Sequence, residues 1–218
     1  MRKMMTVHHL KKRKDNAMAK DMMKLQLAYK GSEYSRTVVV QKQFSLAFLH
    51  EVIQVSFGWL NYHLYNFVDA KGVVYESDAD AMDLPLDKGQ KMLLAAEVAI
   101  GKVLKKVGEK LDYMYDFGDG NEIEITNLGA VSGFDVTDFA SVGPDLIEDS
   151  GAFGFTPGIV KLLAKKGRKS ARAQECEAWL DGAFGKTVRA VLREPSAAEI
   201  HARVWHLHEL VCTALPAM

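Results

Sequence analysis

The sequence predicts an α+β fold: a mixed, mainly antiparallel sheet, one helix packed on it after the first hairpin, and a C-terminal helical section. Three observations carry that expectation. Apolar and polar residues alternate over 23–29 and again on both sides of an acidic glycine turn near 118. One amphipathic helical stripe falls between the strand-like segments, and further helix signals are confined to the last third.

The elements follow in order. Residues 1–20 hold seven Lys/Arg against one acid and no apolar periodicity, so they read as a basic disordered arm. The α+β domain is expected over 21–155, with C-terminal helices over 156–218 packed on the same domain. Residues 23–29 alternate as a strand, Gly31-Ser32 breaks it, and 34–40 supplies a β-branched partner, which makes an opening hairpin. Ser45 can cap a helix on which Leu46, Leu49, Ile53 and Phe57 share one face, and Gly58 can provide its left-handed stop.

Residues 64–68 and 73–76 read as short strands around Ala70-Lys71-Gly72, and the acidic stretch 77–87 as a loop. Residues 90–100 fit either a buried strand or a helix, and 101–107 a short helical turn. After the central hairpin, 129–154 is rich in Gly, Ser and Asp and forms either a long functional loop or irregular edge structure. Thr156-Pro157 opens a helix that Gly167 stops, and 171–180 forms another. Ser196 and Glu199 make a capping box, followed by a stripe of Ile200, Val204, Leu207 and Val211.

Composition limits the function classes. With 218 residues and 48% hydrophobic content the chain can bury a real core. Cys176 and Cys212 lie far apart without metal spacing, which argues against a disulfide scaffold and for a reducing, cytoplasmic setting. No apolar run approaches the roughly 20 residues that cross a bilayer, so no membrane partner is expected. The basic start lacks the apolar segment of a signal peptide. Zero net charge hides a segregation: residues 61–151 hold seven Lys/Arg against eighteen acids, and 152–218 hold ten against six. Basic ends steer a chain toward nucleic acid or an acidic partner, or simply face water.

The central turn, Tyr115-Asp116-Phe117-Gly118-Asp119-Gly120-Asn121-Glu122, is the densest candidate site. Leu111, Tyr113, Tyr115 and Phe117 share one strand face, and Ile123 and Ile125 share the matching face of the return strand; on a purely structural alternative the turn only ends a hairpin and the stripe Tyr113-Tyr115-Phe117 packs beneath the first helix. A two-residue Asp119-Gly120 turn would set Tyr115 against Glu124. A three-residue loop, Gly118-Asp119-Gly120, pairs Tyr115 with Ile123 and Tyr113 with Ile125, and is the expected register. Asp116 then opposes Glu122, a repulsion that a cation, a lysine or ligand donors would offset, or that hydration at the tip would screen. A divalent cation here would take Asp116, Asp119, Glu122 and Glu124 as ligands and could activate water, the chemistry of a metal-dependent hydrolase.

Other motif-like strings lack their context. Asp116-Phe117-Gly118 spells a kinase metal triplet without a glycine-rich nucleotide loop, and Gly182 to Thr187 ends like a phosphate-binding loop but Leu180 stands at its first glycine. The acidic turn is too short for an EF-hand. His201 and His208 lie seven apart on one helical face with Trp205 between them, a spacing that favours packing over ligation. His50 falls on the first helix.

Two stretches together resemble a known family. Leu49-His50-Glu51-Val52-Ile53-Gln54, Phe57-Gly58-Trp59, His63-Leu64 and Phe67, followed by Tyr115 to Gly120, are similar in order and spacing to the plasmid pRiA4b ORF-3-like family. The similarity spans about residues 22–200, weaker at 151–163 and at Glu177-Ala178-Trp179-Leu180-Asp181-Gly182. The resemblance implies a bacterial or archaeal α+β protein, associated with plasmids or mobile elements and without an assigned activity. Some members carry a resolvase label, but this chain shows no serine nucleophile supported by an arginine cluster. It also departs from the family pattern at Asn121, where Trp is usual, at Ile123, where His is common, and over 143–151, which lacks the usual cysteines.

The combined expectation is a non-catalytic binding or interaction protein, its candidate surface formed by Trp59, Tyr62, His63, Asp116, Asp119 and Glu122. Its partner would be a protein or a nucleic acid met by the basic ends, with no cofactor required. The metal-dependent hydrolase is the alternative.

Overall fold

The computed structural model describes residues 21–78, 91–146, 171, 174–175, 178 and 193–214. The basic arm, most of the acidic loop 77–87, the helix from Thr156-Pro157 to Gly167 and most of 171–180 lie outside the described residues.

The opening hairpin forms as its alternation requires. Strands β1 (Met22–Tyr29) and β2 (Ser35–Gln41) pair antiparallel, Leu25 opposite Val38 and Leu27 opposite Arg36. Helix α1 (Leu46–Phe57) follows; the Ser45 hydroxyl accepts the Phe48 N–H at 3.2 Å, and Gly58, at φ 77°, ends the helix in the left-handed region. Its Leu46, Leu49, Val52, Ile53 and Phe57 are fully buried against the sheet, each stabilising the fold by about 2 kcal/mol.

Strands β3 (Tyr65–Asp69) and β4 (Val74–Glu76) form the second hairpin. The ambiguous segment 90–100 divides: β5 (Met92–Leu94) pairs parallel with β4, a 3-10 turn covers Ala95–Glu97, and the short helix α2 (Ile100–Val103) follows. Strands β6 (Lys110–Tyr115) and β7 (Asn121–Val131) make the central hairpin. Residues 129–131 complete β7, and 132–146 resolve as irregular edge structure, with β8 (Ala140–Val142) pairing with β2. The eight strands run in the order β5-β4-β3-β6-β7-β1-β2-β8, antiparallel except for β4–β5.

Helix α3 (Ala197–Ala214) packs on α1. The capping box forms: Glu199 accepts the Ser196 N–H at 2.8 Å, and the Ser196 hydroxyl accepts the Glu199 N–H at 3.3 Å. Ile200 and Val204 are fully buried. Beneath them Arg36, fully buried, donates to the carbonyls of Ser35, Ser56, Val142 and Pro144 and lies over the Phe57 ring at 4.9 Å. Desolvation lowers its pKa to about 10, so it keeps its charge at neutral pH. His208 is enclosed by Phe44, Phe48 and Phe134, as the packing reading requires.

Candidate functional site

The central hairpin takes a register two residues away from the expected one. Tyr115 pairs with Asn121, Tyr113 with Ile123 and Leu111 with Ile125, so residues 116–120 form a five-residue loop. A shift of two preserves which face each side chain occupies, so parity alone does not separate the two registers. Local bonding does. Asp116 leaves the strand in the left-handed region at φ 54°, its N–H donating to the Leu64 carbonyl and its carboxylate accepting the N–H groups of Gly118 and Asp119. The Gly120 N–H closes the loop on the Asp116 carbonyl at 2.7 Å, and the buried Asn121 side chain accepts the Tyr29 hydroxyl at 2.8 Å.

Asp116 and Glu122 are therefore not cross-strand partners. The like-charged pair in this register is Asp112 opposite Glu124, and lysines offset it. Lys30 reaches Asp112 at 2.8 Å and Glu122 at 3.1 Å, and Lys110 reaches Glu124 at 2.8 Å. The hydrogen bond to Asp112 is the largest cause of a raised Lys30 pKa. Among the described residues no group of three or more His, Cys, Asp and Glu is placed to hold a metal ion.

The loop after α1 lies against this hairpin. The Tyr115 hydroxyl accepts the N–H groups of Tyr62 and His63 at 2.9 and 3.3 Å. His63 Nε2 stands 3.6 Å from Asp116 Oδ2. Trp59 is not on the surface: it is buried, stacked on Tyr115 at 5.1 Å and on Phe57 at 5.4 Å. Tyr62 is 63% exposed, Leu64 54% and Phe117 49%, so Phe117 does not continue the buried stripe of Tyr113 and Tyr115. The reason is the left-handed turn at Asp116, which carries Phe117 out of the strand.

Sequence reading missed what anchors that loop. His50 Nδ1 lies 2.9 Å from the Tyr113 hydroxyl, which also accepts Gln54 Nε2 at 3.0 Å. His50 Nε2 lies 2.6 Å from the Asn61 side-chain oxygen, and the Asn61 N–H donates to Gln54 Oε1 at 3.0 Å. Asn61 is at φ 61°, and it and Asp116 are the two non-glycine residues with positive φ among the described residues. The partners assign the tautomer: Nε2 carries the proton toward Asn61, and Nδ1 accepts from Tyr113. Burial lowers the His50 pKa to about 4, and its ring stacks on Tyr65 at 3.6 Å. The available signal was His50 and Gln54 four apart, hence on one helix face.

Fold and site define an α+β protein in which one loop and one hairpin tip project together from the sheet. Among known proteins, the model of the plasmid pRiA4b ORF-3-like protein family matches residues 21–188, and the chain belongs to that family. It is 38% identical over 90 residues to the uncharacterized protein y4hQ of Sinorhizobium fredii (strain NBRC 101917 / NGR234), an alignment covering 41% of this chain and 43% of that one. The matched part thus spans less than half of the curated relative. The crystal structure of MM3350, a protein of unknown function from Methanosarcina mazei Go1, superposes with a TM-score of 0.54 at 20% identity, over 75% of this chain and 91% of that one. That likeness concerns the fold alone. No helix among the described residues is long and apolar enough to cross a membrane.

Proposed function

We propose that the protein is a non-catalytic binding protein whose contact surface is the loop at residues 60–64 together with the hairpin tip at 116–120. One observation carries this reading: Leu60, Tyr62, Leu64 and Phe117 are each more than two-fifths exposed on a backbone that the His50, Asn61, Tyr115 and Asp116 hydrogen bonds hold in place. Exposed aromatic and aliphatic side chains on a pre-organised loop favour association, because little conformational entropy remains to be lost on binding. Glu51, Asp116 and Asp119 add negative charge nearby, so the complementary partner is a protein segment of apolar and basic side chains. The same reading takes the protein to be cytoplasmic and in the service of a plasmid or mobile element.

Binding is favoured over metal-dependent hydrolysis because Lys30 and Lys110 engage Glu122 and Glu124, two of the four carboxylates a cation would need. The test places a photo-crosslinking residue at position 62 in cells that naturally carry the protein, with one at exposed Val107 as the reference. A partner captured from position 62 alone, and lost in Phe117→Ser at unchanged melting temperature, supports the reading. The same products from both positions would remove it. A Mn- or Zn-induced rise in melting temperature, abolished by Asp116→Asn, would favour the hydrolase.

A further inference from the structure

Five of the seven basic residues in the acidic stretch 61–151 belong to two adjoining turns. The β3–β4 turn contributes Lys71, and the segment from α2 to β6 contributes Lys102, Lys105, Lys106 and Lys110. Between the turns lies a cleft of about 400 Å³, lined by Lys71, Lys102, Lys105 and Lys110 with Asp69 and Glu109. It sits at the end of the β3–β6 pair opposite the loop and tip described above, ~17 Å away along the strand.

The two carboxylates in the cleft each accept backbone N–H groups of their own turn. Asp69 accepts the N–H groups of Lys71 and Val73 at 2.9 and 3.0 Å, and its other oxygen accepts the Tyr75 hydroxyl at 3.1 Å. Glu109 accepts the N–H groups of Lys105 and Lys106, which hold it below the usual carboxylate range. Lys110 is shared with Glu124, whereas Lys71, Lys102 and Lys105 make no ion pair among the described residues. The wall is also fixed in place. Asn127 accepts the Gly108 N–H on its carbonyl, donates its own N–H to the Glu109 carbonyl, and donates its side-chain amide to the Leu104 carbonyl, at the bulge where β7 departs from regular pairing with β1.

We infer that this cleft binds a phosphate chain, of an inorganic polyphosphate or of a nucleotide. Like charges drawn from two separate turns repel one another, and a multivalent oxyanion turns that repulsion into attraction. Several ammonium groups of separate origin match the spread charge of a phosphate chain better than that of a single carboxylate. The volume lies within the range of small-molecule sites.

The test is calorimetric titration of the whole protein at low salt with tripolyphosphate and with ADP. Binding that weakens with added salt, and that falls by roughly tenfold or more in Lys102→Glu/Lys105→Glu, is expected. Tripolyphosphate alone binding identifies an inorganic chain, and tighter ADP binding a nucleotide. Lys71→Glu, on the opposite wall, provides a second variant should the double one fail to fold, and Tyr62→Ser is expected to leave the titration unchanged. No binding of either ligand, undiminished binding by the variants, or binding of a single-stranded oligonucleotide only, would overturn the assignment.

Discussion

The His50 Nδ1 and the Tyr113 hydroxyl meet at 2.9 Å inside the protein, joining helix α1 to the middle of the sheet. Tyr113 donates to His50 and accepts from Gln54, so a single hydroxyl partners two buried side chains. Tyr113→Phe keeps the ring and removes both bonds. Leaving His50 Nδ1 and Gln54 Nε2 without that partner is expected to cost about 1–3 kcal/mol in urea unfolding. An unchanged midpoint would mean that the hydroxyl does not bridge them.

Acid should destabilise the fold through two histidines. Burial lowers the pKa of both His50 and His208 to about 4, and among the described residues no hydrogen-bond partner meets His208 Nε2. Well above pH 6.5 both are neutral folded or unfolded, and their titration contributes no pH dependence. Between about 6.5 and 4 the unfolded chain takes up protons that the folded chain refuses, so stability falls as pH falls, by about 3 kcal/mol per histidine over that window. His208→Leu is expected to flatten the decline by about half without lowering stability at pH 7.5. An equally steep decline in that variant would place the proton uptake elsewhere.

Much of this fold was legible because it rests on local rules. Ser45, Gly58, Ser196 and Glu199 cap their helices as their side chains and spacing dictate. The strands around Tyr65 and Val74 fall within a residue of expectation. The hairpin register was not legible, because both registers present the same faces. What decides between them is a left-handed Asp116 and a buried bond from Tyr29 to Asn121, residues 92 apart in the chain. The candidate surface was half legible: Tyr62, His63 and Asp116 do come together, yet Trp59 joins the core, since its stacking on Tyr115 depends on how the loop folds back. The lysine cleft was not legible, because its two walls are separated by some thirty residues of acidic sequence.

Two glycines with similar backbone angles should respond very differently to alanine. Gly72, at φ 77°, has open space where a Cβ would stand, so Gly72→Ala is expected to cost only the left-handed backbone penalty of about 1 kcal/mol. Gly143, at φ 86°, would drive that carbon into the Tyr34 ring, which is itself buried. The N–H of Gly143 also donates to Glu194 at 2.8 Å, so displacing this segment strains the lead-in to α3. Gly143→Ala is expected to lose about 3 kcal/mol or more. Equal losses for the two variants in thermal unfolding would show that Tyr34 moves aside freely.

Asp145 should matter more to the docking of α3 than Arg203, although the two form one bidentate pair at 2.8 and 2.9 Å. The asymmetry comes from Arg36, whose guanidinium lies 3.7 Å from the same carboxylate and is fully buried. Arg203→Met leaves Asp145 beside Arg36, so the remaining charges still compensate, and a loss of about 1 kcal/mol is expected. Asp145→Asn leaves two guanidinium groups near each other, neither with another carboxylate in ion-pair contact among the described residues, and is expected to cost about 3 kcal/mol. Hydrogen exchange should then show α3 opening more readily while β6 and β7 keep their protection. The reverse order of the two variants would mean that Arg36 is satisfied by its four carbonyl partners alone.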